Sequence, residues 1–238
     1  MNGKPAVIDW WLAPLSGAAT HAIAPWAAWH ARLMVMAWGV LVPLGVLAAR
    51  FYKVTPRQRW PQQLDNPAWW HTHRAAQYSG VALMSVGAAL AWSHGQGLTT
   101  AARMHAWLGW GVVAAGWLQV LGGWARGSKG GPTDAQLRGD HFDMTLRRVA
   151  FERGHKTLGY AALAAAAAAI GLGLFVSDAP RWMPAVLGAF WAALAVAFVR
   201  LQRAGRCIDT YQAIWGPDMR LPGNGRVPIG VGIRRPLP

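Results

Sequence analysis

Charged residues are scarce in this chain. Only 13% of its 238 residues are Asp, Glu, Lys or Arg, against roughly 25% in an ordinary soluble domain. Acidic residues are the scarcer sign: 9 of them are outnumbered by 23 basic residues, which gives a formal net charge of +14. The basic residues lie between apolar blocks and near the C-terminus, as is typical of juxtamembrane charge. We therefore expect no nucleic-acid partner.

Cysteine is nearly absent as well. Cys207 is the single cysteine, so an internal disulfide, a C-x-x-C zinc or redox motif, and the C-x-x-C-H motif that attaches c-type haem are all excluded. The N-terminal stretch MNGKPAVIDWWLAPLSG lacks a continuous apolar run, and we expect no cleaved signal peptide there.

Long apolar runs, by contrast, are abundant. A helix needs about 20 mainly apolar residues to cross the hydrocarbon core of a bilayer, and five segments qualify when their polar ends are included. The predicted helices cover about residues 30–51, 69–92, 102–124, 154–176 and 182–200, with a kink at Pro43. Because exposed loops and strand edges are not tolerated at that depth, the sequence predicts an all-α integral membrane protein with five transmembrane helices. Its 16 tryptophans agree with this class, since Trp is favoured at membrane interfaces.

The charges of the predicted loops indicate the orientation. The first and third loops are rich in Lys and Arg, whereas the second and fourth together carry only Arg181. The positive-inside rule then places the N-terminus outside and the C-terminus in the cytoplasm, as expected for a bacterial inner-membrane protein. The predicted divisions are an outer interfacial segment (1–29), a four-helix core (30–176), a fifth helix (177–200) and a cytoplasmic tail (201–238). The tail is expected either to dock a partner or to fold back on its own loops.

Histidines occur near the first turn of each of the first four predicted helices. Ionisable residues within membrane spans are rare, and each is a functional candidate. Because neighbouring helices alternate in direction, His30 and His105 share the outer half of the bundle, and His73 and His155 share the inner half. A non-covalent, bis-histidine b-type haem needs two such imidazoles from different helices. The pattern therefore predicts a di-haem core with two haem b groups in series.

His71 competes with His73 for the inner site. Residues at i and i+2 point about 200° apart on a helix, so both imidazoles cannot reach one iron, and the spacing alone does not choose between them. The remaining histidines, His21, His94 and His141, lie in predicted loops or interfaces and are expected not to bind iron.

Two further groups of residues are assigned to the cofactor sites. Gly109 and Gly159 each follow a predicted ligand by four residues and lie on the same helix face, where they leave room for a macrocycle. A basic cluster is predicted at the cytoplasmic helix ends, where it balances haem propionates or attracts an anionic donor; the positive-inside signal alone also explains it. The cluster comprises Arg50, Lys53, Arg74, Arg147, Arg148 and Lys156.

At these residues the chain resembles the cytochrome b561 family, in particular the branch whose core also occurs fused to DOMON modules. The matching stretches are HARLMVMAWGVLVPLGVLAARFYK, WWHTHRAAQYSG, MHAWLGWGVVAAGWLQVLGGWAR and GHKTLGYAALAAAAAAIGLGL, and together they cover the four core helices. The resemblance implies that His73, which follows an aromatic pair and precedes Gln77, is the ligand rather than His71. It also implies a six-coordinate di-haem core that pairs the first with the third histidine and the second with the fourth.

The family also implies transmembrane electron transfer, often from cytoplasmic ascorbate to an outer acceptor such as ferric iron or monodehydroascorbate. The stretch at 130–153 does not belong to the eukaryotic ascorbate-dependent core, so a quinol or a protein partner is an equal expectation. Whether the chain is an electron-transfer protein or an oxidoreductase in its own right stays open. The alternative hypothesis is an accessory or structural haem-bearing subunit of a larger respiratory or photosynthetic membrane complex, with a membrane partner or as a homodimer.

Overall fold

A computed structural model describes residues 6–18, 22–94 and 99–235. Within these residues the fold is all-helical, with two isolated bridges and no strand. The elements are α1 (Ala6–Leu12), α2 (Pro25–Met34), a π-helical segment (Val35–Leu41), α3 (Val42–Phe51), α4 (Ala68–His94), α5 (Thr100–Trp124), α6 (Asp140–Asp143), α7 (Leu146–Val176), α8 (Trp182–Arg203) and α9 (Thr210–Trp215).

Three helices of the described chain are long and apolar enough to cross a membrane. They are the continuous helix Pro25–Phe51, α7 and α8, which supports a multi-pass membrane protein. The helices α4 and α5 have 27 and 25 residues, and this length also suffices at 1.5 Å per residue. Their sequences are diluted by His, Gln, Ser, Gly and Trp. Five transmembrane helices therefore remain a prediction.

The first long helix contains a local irregularity just before Pro43. The π-helical segment ends at Leu41, and α3 carries Pro43 in its first turn. Proline has no N–H to offer the carbonyl four residues earlier, here that of Gly39. The indole N–H of Trp191 on α8 donates to this carbonyl at 3.0 Å, so α8 satisfies a backbone group that lipid could not.

The helices pack as two closely associated pairs. The helix Pro25–Phe51 packs along α4, and α5 packs along α7, while α8 lies at the periphery against α3 and α7. Small and medium apolar side chains fill the centre, among them Ala37, Met84, Val112 and Ala166. Small residues at such contacts let helix backbones approach closely. Residues that belong to different helix pairs therefore face each other across the interface between the two pairs.

The helix α7 begins at Leu146, eight residues before its predicted start near residue 154, so that boundary was wrong. The Thr145 hydroxyl caps the helix by accepting the N–H of Arg148 at 3.4 Å. Glu152 then accepts from Arg148 and Lys156, at 3.0 and 2.7 Å, in two i,i+4 ion pairs. These local bonds make the end of the predicted loop helical, although its charged residues favoured a loop in the sequence.

The two loops predicted to be cytoplasmic and the tail meet at one end of the bundle. Lys129 pairs with Asp65, and the indole N–H of Trp60 donates to the Gln212 carbonyl at 3.2 Å. A second apolar cluster joins the loop before α7 to the tail; its buried members are Phe142, Met144, Tyr211, Ile214 and Trp215. The described part of the tail therefore folds back on the loops.

The N-terminal segment contacts the opposite end, beside the turn between α7 and α8. Leu15 donates its N–H to the Ala179 carbonyl at 3.1 Å, and the Arg181 guanidinium lies 4.9 Å from the Trp10 ring centre. Several apolar side chains of α1 are exposed: Val7, Ile8, Trp10, Trp11 and Leu12. This composition suits a helix lying in a membrane interface, and the interfacial assignment stays a prediction.

Candidate functional site

The four predicted ligands come together as two pairs. The ring centres of His30 and His105 are 6.0 Å apart, and the ring planes cross at 85°. Those of His73 and His155 are 6.3 Å apart and cross at 76°. In each case one ring belongs to the first helix pair and the other belongs to the second. Both imidazole pairs therefore lie across the interface between the two helix pairs.

These separations suit one iron atom held between two imidazoles. Metal–nitrogen bonds of about 2 Å and a distance of about 1 Å from each ring centre to its nitrogen add up to about 6 Å between ring centres. In the described chain no group of three or more His, Cys, Asp or Glu is arranged to hold a metal ion. Haem iron needs only two protein ligands, because the macrocycle supplies the other four. The geometry fits haem, and the ligand assignment stays a prediction.

Three of the four imidazoles are oriented by a carbonyl of a neighbouring helix. A carbonyl only accepts, so the contacting Nδ1 carries the proton, and Nε2 keeps its lone pair for a metal. The acceptors belong to small residues, which let a ring approach the backbone. The contacts are His30 to Gly87 at 2.9 Å, His73 to Gly45 at 3.1 Å and His105 to Ala169 at 3.0 Å.

His155 is held differently. Its Nδ1 is buried without a hydrogen-bond partner in the described chain, and its ring lies 5.1 Å from that of Phe151. Its backbone carbonyl accepts the side-chain N–H of Gln119 at 2.8 Å. Packing and the helix backbone therefore position this ring, without a carbonyl partner.

The two imidazole pairs lie at different depths of the bundle. On α4, His73 precedes Gly87, the acceptor for His30, by fourteen positions; on α7, His155 precedes Ala169, the acceptor for His105, by the same number. At 1.5 Å per residue this spacing is roughly 21 Å. The hydrocarbon core is about 30 Å thick, so the pairs are suited to opposite halves of a membrane.

A cavity surrounds the inner pair. It has a volume of about 500 Å³, and both His73 and His155 line it. Cofactor pockets usually measure about 300–1,000 Å³. Trp38, Trp70 and Gly116 also border this space. The cavity is therefore large enough for a planar cofactor beside the predicted ligands.

The cavity wall is strongly basic. Five members of the predicted basic cluster line it, together with Arg126, which sequence reasoning did not assign to the site. The Arg126 guanidinium lies 4.2 Å from the Trp70 ring centre. Arg147 is the exception, because it donates to the Ala125 carbonyl at 3.0 Å and is not part of the wall. Six cations thus border the cavity: Arg50, Lys53, Arg74, Arg126, Arg148 and Lys156.

Several of these cations bind the protein itself. Lys156 donates to the Glu152 carboxylate and to the Ile229 carbonyl, both at 2.7 Å. Arg50 donates to the Tyr160 hydroxyl at 2.9 Å and to the Val231 carbonyl at 2.8 Å. Glu152 is the acidic residue of the wall, and sequence reasoning had counted it only as a loop charge. The basic cluster therefore also organises the end of the bundle where the loops and the tail meet.

The other residues considered for the cofactor sites are His71, Gly109 and Gly159. His71 is exposed, whereas His73 is half-buried beside His155. A Cβ atom at Gly109 meets nothing within 4 Å, and one at Gly159 meets the Gln119 amide at 2.9 Å. Gly159 lines the inner cavity, and its role in leaving room for a macrocycle stays a prediction.

Two of the remaining histidines contact other aromatic side chains. His94 is exposed and stacks on Trp26 at 5.3 Å. His141 is buried against Trp215, at 4.6 Å between ring centres. Burial, reinforced by the Arg148 cation, lowers the pKa of His141 well below its usual value, which keeps it neutral. His21 lies outside the described residues.

This chain is similar to part of several known proteins. It is 32% identical over 146 residues to ferric-chelate reductase 1 of Bos taurus. Two relatives from Arabidopsis thaliana are a cytochrome b561 and DOMON domain-containing protein, 30% identical over 103 residues, and a cytochrome b561, DM13 and DOMON domain-containing protein, 25% identical over 145. These relatives support the cytochrome b561 family. No family model and no solved structure matches the chain.

The similarity covers part of each protein. It includes 61% of this chain for the Bos taurus relative and for the DM13-containing relative, and 42% for the other. The same regions are 22%, 14% and 20% of those relatives' lengths. The similarity is therefore to a module of much longer proteins.

Proposed function

We propose that this chain transfers electrons across a membrane through two non-covalent haem b groups, each held by two histidines. The outer pair is His30 with His105, and the inner pair is His73 with His155. The observation that carries the proposal is the geometry of these pairs, with ring centres 6.0 and 6.3 Å apart. The cytochrome b561 relatives support the same chemistry. The proposal includes five transmembrane helices around a four-helix core, with the tail in the cytoplasm of a bacterial cell.

When bound, the two haems supply one-electron carriers in series across the bilayer. His30, His73 and His105 would hold iron through Nε2, because neighbouring carbonyls accept from their Nδ1 atoms. His155 would be the fourth ligand. The cations around the inner cavity balance the negative charge of the propionates. The apolar residues between the two sites exclude water from the path. Donor and acceptor are a small molecule, a quinol or a protein on opposite faces.

The alternative, an accessory subunit, is favoured by the tail and by the Trp-rich N-terminal segment, because the core alone needs neither. The tail's large aromatic side chains Tyr211 and Trp215 are buried within the chain itself. This use of the tail favours the electron-transfer proposal, and co-purification with a stable membrane partner would favour the alternative.

The test is a reduced-minus-oxidised absorption spectrum of the purified protein, with haem content measured per chain. We expect a b-type α-band and two haems. Protein that folds and binds no haem would contradict the proposal.

Gly173 provides a prediction for the outer site. A Cβ atom at Gly173 would lie 2.9 Å from Cε1 of His105, closer than real contacts allow. We expect Gly173→Ala to displace the His105 ring and to lower outer haem occupancy, measured as haem per chain. The matched control is Gly171→Ala on the same helix, where a Cβ atom meets nothing within 4 Å. Equal haem content in the two variants would contradict the placement of His105.

Lys53 makes the inner haem potential depend on pH. Burial, together with the neighbouring Lys156, lowers the pKa of Lys53 to about 8, although Glu152, Asp209 and Cys207 oppose the shift. The residue is therefore charged below pH 8 and neutral above it. A positive charge stabilises reduced iron, so the reduction potential should fall as the pH rises through about 8. The expected fall is on the order of tens of millivolts, the effect of one partly screened charge.

Redox titrations at pH 7 and pH 9 measure this effect. Lys53→Met should abolish most of the fall, while haem content stays unchanged. An equal fall in the wild type and in Lys53→Met would assign the pH dependence to another group.

The two haems should also differ in reduction potential. Six cations and one carboxylate border the inner cavity, whereas the outer ligands have only Arg32 and Arg103 as basic residues within two positions in the sequence. Positive charge raises the potential of the iron it surrounds, so the inner haem should have the higher potential. A spectroelectrochemical titration should resolve two waves. A single unresolved wave would contradict this prediction.

A further inference from the structure

The C-terminal tail forms part of the wall of the inner cavity. Cys207 and Thr210 border the cavity beside α9 and are both buried, with 1% and 7% of their surface exposed. Further along the chain, Gly230, Val231 and Ile233 border the same space. This wall lies at the end of the bundle where the loops and the tail meet. The tail therefore reaches the site occupied by His73 and His155.

Residues 229–235, here called the strap, are fastened to three different helices. Lys156 of α7 donates to the Ile229 carbonyl at 2.7 Å, and Arg50 of α3 donates to the Val231 carbonyl at 2.8 Å. Gln202 of α8 donates to the Gly232 carbonyl at 2.7 Å. Bonds from charged donors are stronger than neutral ones. The strap is thus fixed across the helix ends that surround the cavity.

The C-terminal end of the strap is also anchored. Arg234 donates its N–H to the Cys207 carbonyl at 2.7 Å and accepts from the Asp209 N–H at 2.9 Å. The Arg235 guanidinium donates to the Asp209 carboxylate at 2.9 Å and to the carbonyls of Asn224 and Gly223, at 2.6 and 2.9 Å. One side chain therefore joins the strap to two other parts of the tail.

We infer that the strap is a structural part of the inner haem site and closes its cytoplasmic side. The inference rests on the proposed function for the identity of the cofactor. By bordering the cavity and engaging Arg50 and Lys156, the strap retains the haem and limits access of water-soluble reagents to it. Cys207, the single cysteine of the chain, lies behind this cover and reports on it directly.

The test combines thiol labelling with haem release in the full-length protein. A bulky, membrane-impermeant maleimide measures access to Cys207, and transfer of haem to apomyoglobin measures retention. Arg235→Gln loosens the strap without touching a predicted ligand. The matched control is Arg220→Gln in the same tail, because Arg220 pairs only with Asp218 and its side chain is 91% exposed.

In the wild type and in Arg220→Gln we expect slow labelling and retention of both haems. In Arg235→Gln we expect labelling and loss of one haem to accelerate by about tenfold or more, as for other losses of support around a bound metal. If Arg235→Gln fails to fold, Gln202→Ala removes the bond to the Gly232 carbonyl and the acceptor of Arg50, and should show the same changes to a smaller extent.

Three outcomes would overturn the inference. Labelling of folded wild-type protein as fast as that of denatured protein would mean that the strap does not cover Cys207. Faster labelling of Arg235→Gln with unchanged haem release would separate the strap from the haem site. Equal labelling and haem release in Arg235→Gln and Arg220→Gln would show that Arg235 does not anchor the strap. Folded protein without haem would defeat the proposed function, while the labelling result would still report separately on the cover.

Discussion

His155→Ala is expected to remove the inner haem and leave the outer one in place. The variant removes one of the two predicted ligands, and the partner imidazole of His73 is then left alone beside a cavity of about 500 Å³. The outer site should be unaffected, because about fourteen residues, roughly 21 Å, separate the two sites along α7. Haem content should fall from two per chain to about one, and the redox wave that disappears should be the one of higher potential.

The control is His71→Ala, which should keep both haems. His71 is two residues from His73 on the same helix, yet its side chain is exposed. Two haems with unchanged spectra in His155→Ala would contradict the ligand assignment. Loss of one haem in His71→Ala would reopen the choice between His71 and His73. Loss of the lower-potential wave in His155→Ala would reverse the predicted order of the two potentials.

Helix positions and pairing could be predicted from the sequence because they depend on local and periodic signals. Apolar runs located the long helices within a few residues at most ends. The alternation of helix direction placed His30 beside His105 and brought His155 together with His73. Spacing alone did not decide between His71 and His73; the family resemblance favoured His73, and the structure places its ring beside that of His155.

The end of the bundle where the loops and the tail meet could not be predicted in the same way. Its organisation depends on contacts between residues far apart in the chain, such as Arg50 with the Val231 carbonyl and Tyr211 with the Phe142 carbonyl. Charged residues in a loop also follow the positive-inside rule whether or not they form a site. The charged residues at 146–153 were therefore predicted to lie in a loop. In the structure this segment is helical, because Thr145 caps it and the ion pairs of Glu152 stabilise it. No pattern in the sequence identified Arg126 or the strap as part of the inner cavity.

Glu152→Ala is expected to cause the largest loss of stability among these variants. The Glu152 carboxylate is buried, with 8% of its side chain exposed, and it accepts from Arg148 and Lys156. Its removal leaves two cations without their counter-charge beside a site that already holds four others. Breaking a buried pair in this way costs about 3–5 kcal/mol, which corresponds to a fall on the order of 10 °C in the midpoint of thermal unfolding.

His141 cannot replace the lost contacts. Its Nε2 lies 3.5 Å from the Glu152 carboxylate, but an imidazole cannot supply the negative charge that Arg148 and Lys156 lose. The net charge around the cavity therefore becomes more positive in Glu152→Ala, and the potential of the inner haem should rise along with the loss of stability. Thermal unfolding in detergent and a redox titration measure the two effects on the same sample. Asp218→Ala is the matched control, because its pair with Arg220 is exposed and its loss should change stability by no more than about 0.5 kcal/mol. If Glu152→Ala and Asp218→Ala unfolded at the same temperature, the ion pairs of Glu152 would not be what holds the start of α7 against the cavity.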